Sequence, residues 1–306
     1  MQQPQLQPQF QNNMFIIKHK KIFVIISAVL VLLSILAVVF SGLKLGIDFK
    51  GGSLLEVEYK TVRPEQSIVE GMIKPLSIGE MVVQPMGSMG YSIKTKEIND
   101  TERASIMTTL GADATEKSFT SIGPSVGAEL IRKSLISFIL VALGIIFWIA
   151  FSFRKVSKPV SSWKYGLIAI VTLIHDIMIP VGAFAILSSI YGTEIDTLFV
   201  VAILTILGLS VSDTIVVFDR IRENIRIGHF KTFEETVGNS LNQVYTRSIA
   251  TSSTVIIALL ALVFFGPSST RVFAIMLTAG MFFGTYSSIF LASPLLVFVE
   301  GLQKKK

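Results

Sequence analysis

Six long apolar runs constrain this chain more than any other feature. They occupy residues 22–40, 134–151, 165–190, 197–218, 249–265 and 272–299. A helix that crosses a bilayer needs about 17–25 mostly apolar residues. Within lipid, each backbone polar group must also be satisfied by its own segment or by a closed barrel. Six transmembrane helices are therefore expected. Only a few residues part the third and fourth runs. The last run is longer than a span needs and contains Pro294, so a tilt or break is expected there. With 51% hydrophobic and 16% charged residues, the chain as a whole is too apolar for an ordinary soluble domain.

Charge placement orients the runs. Lys18, Lys20 and Lys21 precede the first. Arg154, Lys155, Lys158 and Lys164 separate the second and third. Arg220, Arg222, Arg226 and Lys231 separate the fourth and fifth, and Lys304, Lys305 and Lys306 follow the last. The opposite short loops hold no Lys or Arg at 191–196 and one at 266–271. By the positive-inside rule both termini are cytoplasmic. The net charge of +6 reflects this asymmetry, and nucleic-acid binding is not expected. The first run is too long for a usual signal-peptide core and has no Ala-x-Ala site nearby, so it reads as an uncleaved anchor. The chain has no cysteine, which excludes disulfides and cysteine metal sites.

The expected organisation is a Gln/Pro-rich disordered tail at 1–13, a first span within 14–41, an extracytoplasmic domain at 42–133, a five-helix bundle with cytoplasmic loops at 134–301 and a basic tail at 302–306. Within the external segment, 54–59, 81–85, 91–96 and 117–122 read as strands. Residues 63–74, with Pro64 in the first turn, and 100–110, with Asn99 or Asp100 as N-cap, read as helices. That order, βαββαβ, is the ferredoxin-like split βαβ module. The fold class is thus an α-helical membrane protein carrying one small α+β extracytoplasmic domain. The Gly280-x-x-x-Gly284 pattern reads as close helix packing.

Polar groups interrupt the apolar runs. Asp213 lies inside the fourth, where an aspartate at the helix centre costs about 2.5–3.5 kcal/mol on insertion scales. Ser210, Asp213 and Thr214 share one helix face, and so do Thr172, His175 and Asp176 on the third run. Ser240, Gln243, Arg247, Thr251 and Thr254 form a stripe leading into the fifth. At about 1.5 Å per residue, Asp213 lies about 8 Å from the cytoplasmic end of its helix, and Asp176 about 18 Å in from Lys164. Arg247 is placed where it can meet Asp213. Two readings fit: a carboxylate that exchanges a proton and repacks its helices, or a static buried ion pair that fixes register. His175 and Asp176 read either as a structural hydrogen-bonded pair or as part of a proton path. Past the fourth span, Phe218, Ile221 and Ile225 give a mixed-charge segment an apolar face, as for a helix lying at the membrane interface.

Several segments together resemble a known family. They are Gly46-Ile-Asp-Phe-Lys-Gly-Gly52 after the first span, Ile122-Gly-Pro-Ser-Val-Gly-Ala-Glu-Leu130 before the second, and His175-Asp176 in the third. Ser212-Asp-Thr-Ile-Val-Val-Phe-Asp-Arg-Ile-Arg-Glu-Asn224 closes the fourth, and Thr246-Arg-Ser-Ile-Ala-Thr-Ser252 opens the fifth. In this order they are similar to the SecF family of the bacterial SecD–SecF protein-export component, within the resistance-nodulation-division superfamily. The resemblance covers about residues 15–301. It implies a SecD partner with six further spans, docking to the SecYEG channel with YajC nearby, and a translocating polypeptide drawn outward with the proton gradient across the bacterial cytoplasmic (inner) membrane. It implies proton-pathway roles for Asp213 and Arg247. A coupling role is plausible for Asp48, Phe49, Gly51 and Gly52, and a simple turn there fits equally. Leu209 and Ser212 depart from the family, standing where tyrosine and asparagine are usual. No cofactor, metal or covalent catalysis is expected, and no Gly-x4-Gly-Lys-Ser/Thr pattern points to ATP. A non-conducting scaffold subunit and half of a small-molecule or lipid exporter are the alternatives.

Overall fold

The computed structural model describes residues 15–152 and 159–304. The expectations for residues 1–13, for Arg154, Lys155 and Lys158, and for Lys305 and Lys306 fall outside these. In chain order the elements are α1 (Lys20–Ser41), α2 (Ile47–Lys50), β1 (Gly52–Tyr59), α3 (Gln66–Ile73), β2 (Met81–Met86), β3 (Gly90–Thr95), α4 (Asp100–Leu110), β4 (Ala114–Ile122), α5 (Pro124–Ser152), α6 (Ser162–Tyr191), α7 (Thr197–Ile227), α8 (Phe233–Phe265), α9 (Ser268–Ser287) and α10 (Ser293–Lys304). A π-helical turn, Ser288–Ala292, joins α9 to α10. The chain forms two compact units.

The first unit comprises Lys44–Ser137 together with Glu194–Thr197. Its sheet is antiparallel in the order β2-β3-β1-β4, the ferredoxin-like arrangement expected from the sequence. Alternation along β1 puts Leu55, Val57 and Tyr59 into a core with Val69 and Ile73 of α3, Ile93 of β3, and Ile106 and Leu110 of α4. The start of α4 is fixed by a capping box. Asn99 Oδ1 accepts the Glu102 N–H at 2.9 Å, and the Glu102 carboxylate accepts the Asn99 N–H at 2.9 Å.

Six helices among the described residues are long and apolar enough to cross a membrane: Lys20–Ser41, Pro124–Ser152, Trp163–Tyr191, Thr197–Ile227, Phe233–Phe265 and Ser269–Gln303. Apart from residues 124–137 and Thr197 they form the second unit. Large apolar side chains such as Leu32, Val39, Phe147 and Phe264 stand exposed on their outer faces, as lipid contact requires. Close approaches depend on small residues. A Cβ at Gly182 would sit 2.5 Å from Ser34 Cβ, which locks α6 against α1. A Cβ at Gly280 would sit 2.2 Å from Ile206 Cγ1, and one at Gly284 3.1 Å from Ser210 Cβ, so Gly280-x-x-x-Gly284 seats α9 on α7. The sixth span does change register at its proline. Pro294 donates no hydrogen bond, and the π turn lies directly before it.

The structure corrects one expectation here. Residues 218–227 do not form a separate interfacial helix, because α7 continues unbroken to Ile227. Phe218 and Ile221 are fully buried, packed with Phe233, Val237 and Leu241 of α8. Helix α8 starts well before its apolar run. Its capping box, Thr232 with Glu235, and the i, i+4 apolar row Phe233–Val237–Leu241 supply the helix signal that hydropathy alone misses.

Candidate functional site

Two aspartates lie in the interior of the membrane-spanning unit, and serine hydroxyls hold both. Asp176, on α6, is fully buried. Its Oδ2 accepts from Ser287 Oγ at 2.8 Å and from Ser210 Oγ of α7, and its Oδ1 lies 2.9 Å from His175 Nδ1. Asp213, on α7, is half-buried. Its Oδ1 accepts from Ser248 Oγ of α8 at 2.9 Å, and its Oδ2 from Ser288 Oγ at 3.1 Å. Nearby, Thr285 Oγ1 donates to Ser252 Oγ at 2.5 Å.

Ser287 and Ser288 are consecutive, so one turn of the sixth span serves both carboxylates. Each of these hydroxyls also has a second acceptor. Ser287 Oγ is 3.0 Å from the Gly284 carbonyl, and Ser288 Oγ is 2.9 Å from the Thr285 carbonyl. A hydroxyl has one proton to donate. Each serine therefore serves either its carboxylate or its own helix, and it changes between them by rotation about one bond. The π turn that begins at Ser288 is a register fault of the kind that recurs at functional sites.

The surroundings are polar only where these groups need them. A recess of about 110 Å³ opens beside Asp213, lined among others by Leu209, Ser212, Thr251, Ser252 and Thr285. That is room for several water molecules. Leu209 and Ser212, the two departures from the family pattern, thus border the recess. His175 is buried and stacks on Tyr286 at 5.9 Å between centroids. Its Nε2 has no partner among the described residues.

Some expected residues come together and others do not. Thr172, His175, Asp176, Ser210 and Thr214 all face the interior. The expected ion pair between Asp213 and Arg247 is not formed. No Lys or Arg among the described residues pairs with Asp213 or Asp176, and Arg247 is exposed. The physical reason is a rotation of the helix face. The inward row of α8 is Ser240, Val244, Ser248 and Ser252, whereas Arg247 and Thr254 turn outward, Gln243 accepts from Asn224 Nδ2 at 2.9 Å, and Thr251 borders the recess. Sequence reading missed Ser248, Ser287 and Ser288. The four-residue spacing of the row Ser240, Val244, Ser248 and Ser252 is the available signal on α8. The pair at 287–288 gives none without knowledge of the π turn.

The glycine-rich segment after α1 is a separate constellation, inside the external unit. Asp48 Oδ2 accepts the Thr197 N–H at 2.8 Å and the Thr197 Oγ1–H at 2.7 Å. Gly51 and Gly52 have φ of 78° and 131°, and a Cβ at Gly52 would sit 2.6 Å from the Thr95 carbonyl. A Cβ at Gly127 would sit 2.7 Å from the Phe49 carbonyl, so the segments around Gly46–Gly52 and Pro124–Gly127 pack directly together.

Among the described residues no group of three or more His, Cys, Asp or Glu side chains is placed to hold a metal. The architecture is a multi-pass membrane protein with one ferredoxin-like domain between its first two spans and an anionic, serine-bedded interior. Over residues 102–301 the chain matches the family described as "Protein export membrane protein SecD/SecF, C-terminal", and over 36–61 the SecD/SecF GG motif. It is 42% identical over 302 residues to the protein translocase subunit SecF of Thermobaculum terrenum and 37% identical over 293 residues to that of Anaerolinea thermophila, covering 94% of each chain in both comparisons. The crystal structure of SecDF, a translocon-associated membrane protein from Thermus thermophilus, matches with a TM-score of 0.80 at 29% identity. That match covers 95% of this chain and 38% of the SecDF chain, so this chain spans a little over a third of its length. The chain belongs to the SecF family of protein translocase subunits.

Proposed function

We propose that this chain couples proton movement across the bacterial cytoplasmic membrane to late steps of protein translocation, as one half of an assembly with SecD docked to the SecYEG channel, with YajC alongside. Both termini face the cytoplasm, and the ferredoxin-like domain faces outward, where it meets the emerging polypeptide. The work is conformational, with no covalent catalysis and no cofactor.

The observation that carries this reading is the divided allegiance of Ser287 and Ser288. A charged Asp176 accepts a hydrogen bond from Ser287, and a charged Asp213 one from Ser288. A protonated carboxyl no longer needs them and becomes a donor itself, so the serines turn back to the Gly284 and Thr285 carbonyls. Proton arrival thereby weakens the hold of the sixth span on α6 and α7, while each serine donor keeps an acceptor within its own helix. The recess beside Asp213 gives water a route to that carboxylate. His175 and Asp176 extend the path toward the midplane. A unit charge crossing 100 mV releases about 2.3 kcal/mol, so a few protons suffice for a domain motion.

The test is Asp213→Asn in the reconstituted complex. Asparagine keeps the shape and accepts from Ser248, but holds no exchangeable charge. The variant should assemble with SecD and lose the gradient-dependent part of translocation. Full gradient-dependent translocation by the assembled variant would leave only the scaffold reading. Co-purification of a bound lipid or drug without translocon subunits would favour an exporter.

A further inference from the structure

Asp48 has a local environment that does not explain its bonds. A simple turn between α1 and β1 needs Gly51 and Gly52, which adopt positive φ and pass close to the Thr95 carbonyl. It does not need a carboxylate. Yet both Asp48 bonds go to Thr197, 149 positions along the chain. Thr197 is the first residue of α7, the helix that carries Asp213. The first N–H groups of a helix lack partners within it, and a carboxylate there satisfies them and complements the helix dipole.

Two further hydrogen bonds join the same two strips of chain, and an ion pair ties β3 to one of them. The Gly46 N–H donates to the Ile195 carbonyl at 2.8 Å, and the Ile195 N–H donates to the Lys44 carbonyl at 2.7 Å. Lys94 of β3 pairs with Glu194 at 3.0 Å. A Cβ at Gly46 would sit 2.9 Å from the Ile195 carbonyl, so this approach requires glycine. The start of α7 is therefore held by the segment that opens β1 and by β3, the two central strands of the sheet.

We infer that Asp48 is the clamp through which the fourth span drives the external domain: its carboxylate holds the first residue of α7 to the glycine segment that leads into β1. Helix α7 runs unbroken for about 24 Å between Thr197 and Asp213 at 1.5 Å per residue. A shift of α7 at Asp213 reaches Thr197 without a hinge and passes through Asp48 to β1. Asp48 is a positioning residue and takes no part in proton transfer. The inference rests on the proton-coupled reading above.

The experiment compares Asp48→Ala, Asp48→Asn and wild type in the complete reconstituted complex, with two readouts. The first is hydrogen exchange of the amides at 197–200. Loss of the cap in Asp48→Ala should speed it about five- to tenfold, and Asp48→Asn, which still accepts hydrogen bonds, should stay near wild type. The second is the length of polypeptide translocated per proton entering. That ratio should fall several-fold in Asp48→Ala with proton entry unchanged, and recover in Asp48→Asn. A loss that were only structural would lower both quantities together and leave the ratio intact. An unchanged ratio, or unchanged exchange at 197–200, overturns the clamp. Absence of gradient-driven proton entry in wild type overturns the reading beneath it instead.

Discussion

The external domain and the membrane-spanning unit are built on opposite plans. The domain hides apolar side chains such as Val57, Ile73, Ile93 and Ile106 and shows charge to water, with Arg103 held by Glu116 at 2.6 and 2.9 Å. The membrane unit shows its apolar residues to lipid and hides His175, Asp176, Ser210, Ser287 and Ser288. The difference follows from the solvent. In water, burial of apolar area drives folding. In lipid that drive between helices is absent, and association rests on close packing and interhelical hydrogen bonds. One region should therefore answer to lost volume, and the other to lost hydrogen bonds.

The sharpest way to break that contrast is Asp176→Leu. It leaves the donors of Ser210 and His175 without their acceptor, at about 1–3 kcal/mol each, so the loss is roughly 2–6 kcal/mol, while Ser287 turns to the Gly284 carbonyl. Thermal unfolding in detergent should show a large drop for Leu and a small one for Asp176→Asn. Wild-type stability in the Leu variant would mean that the serine seat does not hold the helices together. Ile93→Ala tests the other plan, where the cavity should cost about 2–5 kcal/mol. Hydrogen exchange should quicken in β1 and β3 and stay unchanged in α7 and α9. Smallest is Asn99→Ala, which removes one half of the capping box and should cost about 1 kcal/mol. Its effect should be confined to exchange in the first turn of α4, and spread across the sheet would argue against a local cap.

The two plans also differ in how legibly they are written. In the external domain, the period-2 alternation of β1, the Gly/Ser turn before β3 and Asn99 followed by Glu102 give strands, hairpin and cap directly. The six spans are equally plain from length and hydropathy. The interior of the bundle is less so. A helix with polar residues on two adjacent faces does not say which face turns inward, so Arg247 was placed inside and Ser248 was overlooked. Ser287 and Ser288 depend on a π turn, a register fault with only Pro294 to announce it. The partners of Asp48 lie 149 residues away, beyond any helical or strand periodicity.

The central claim is that Asp213 carries the proton whose movement the chain uses. It is tested most directly by proton entry into vesicles that hold the assembled complex and an internal pH dye, with an imposed gradient and a translocating polypeptide. The account predicts substrate-dependent entry in wild type, entry at the empty-vesicle background in Asp213→Asn, and an intermediate rate in Asp213→Glu. Equal substrate-dependent entry in wild type and Asp213→Asn would contradict it.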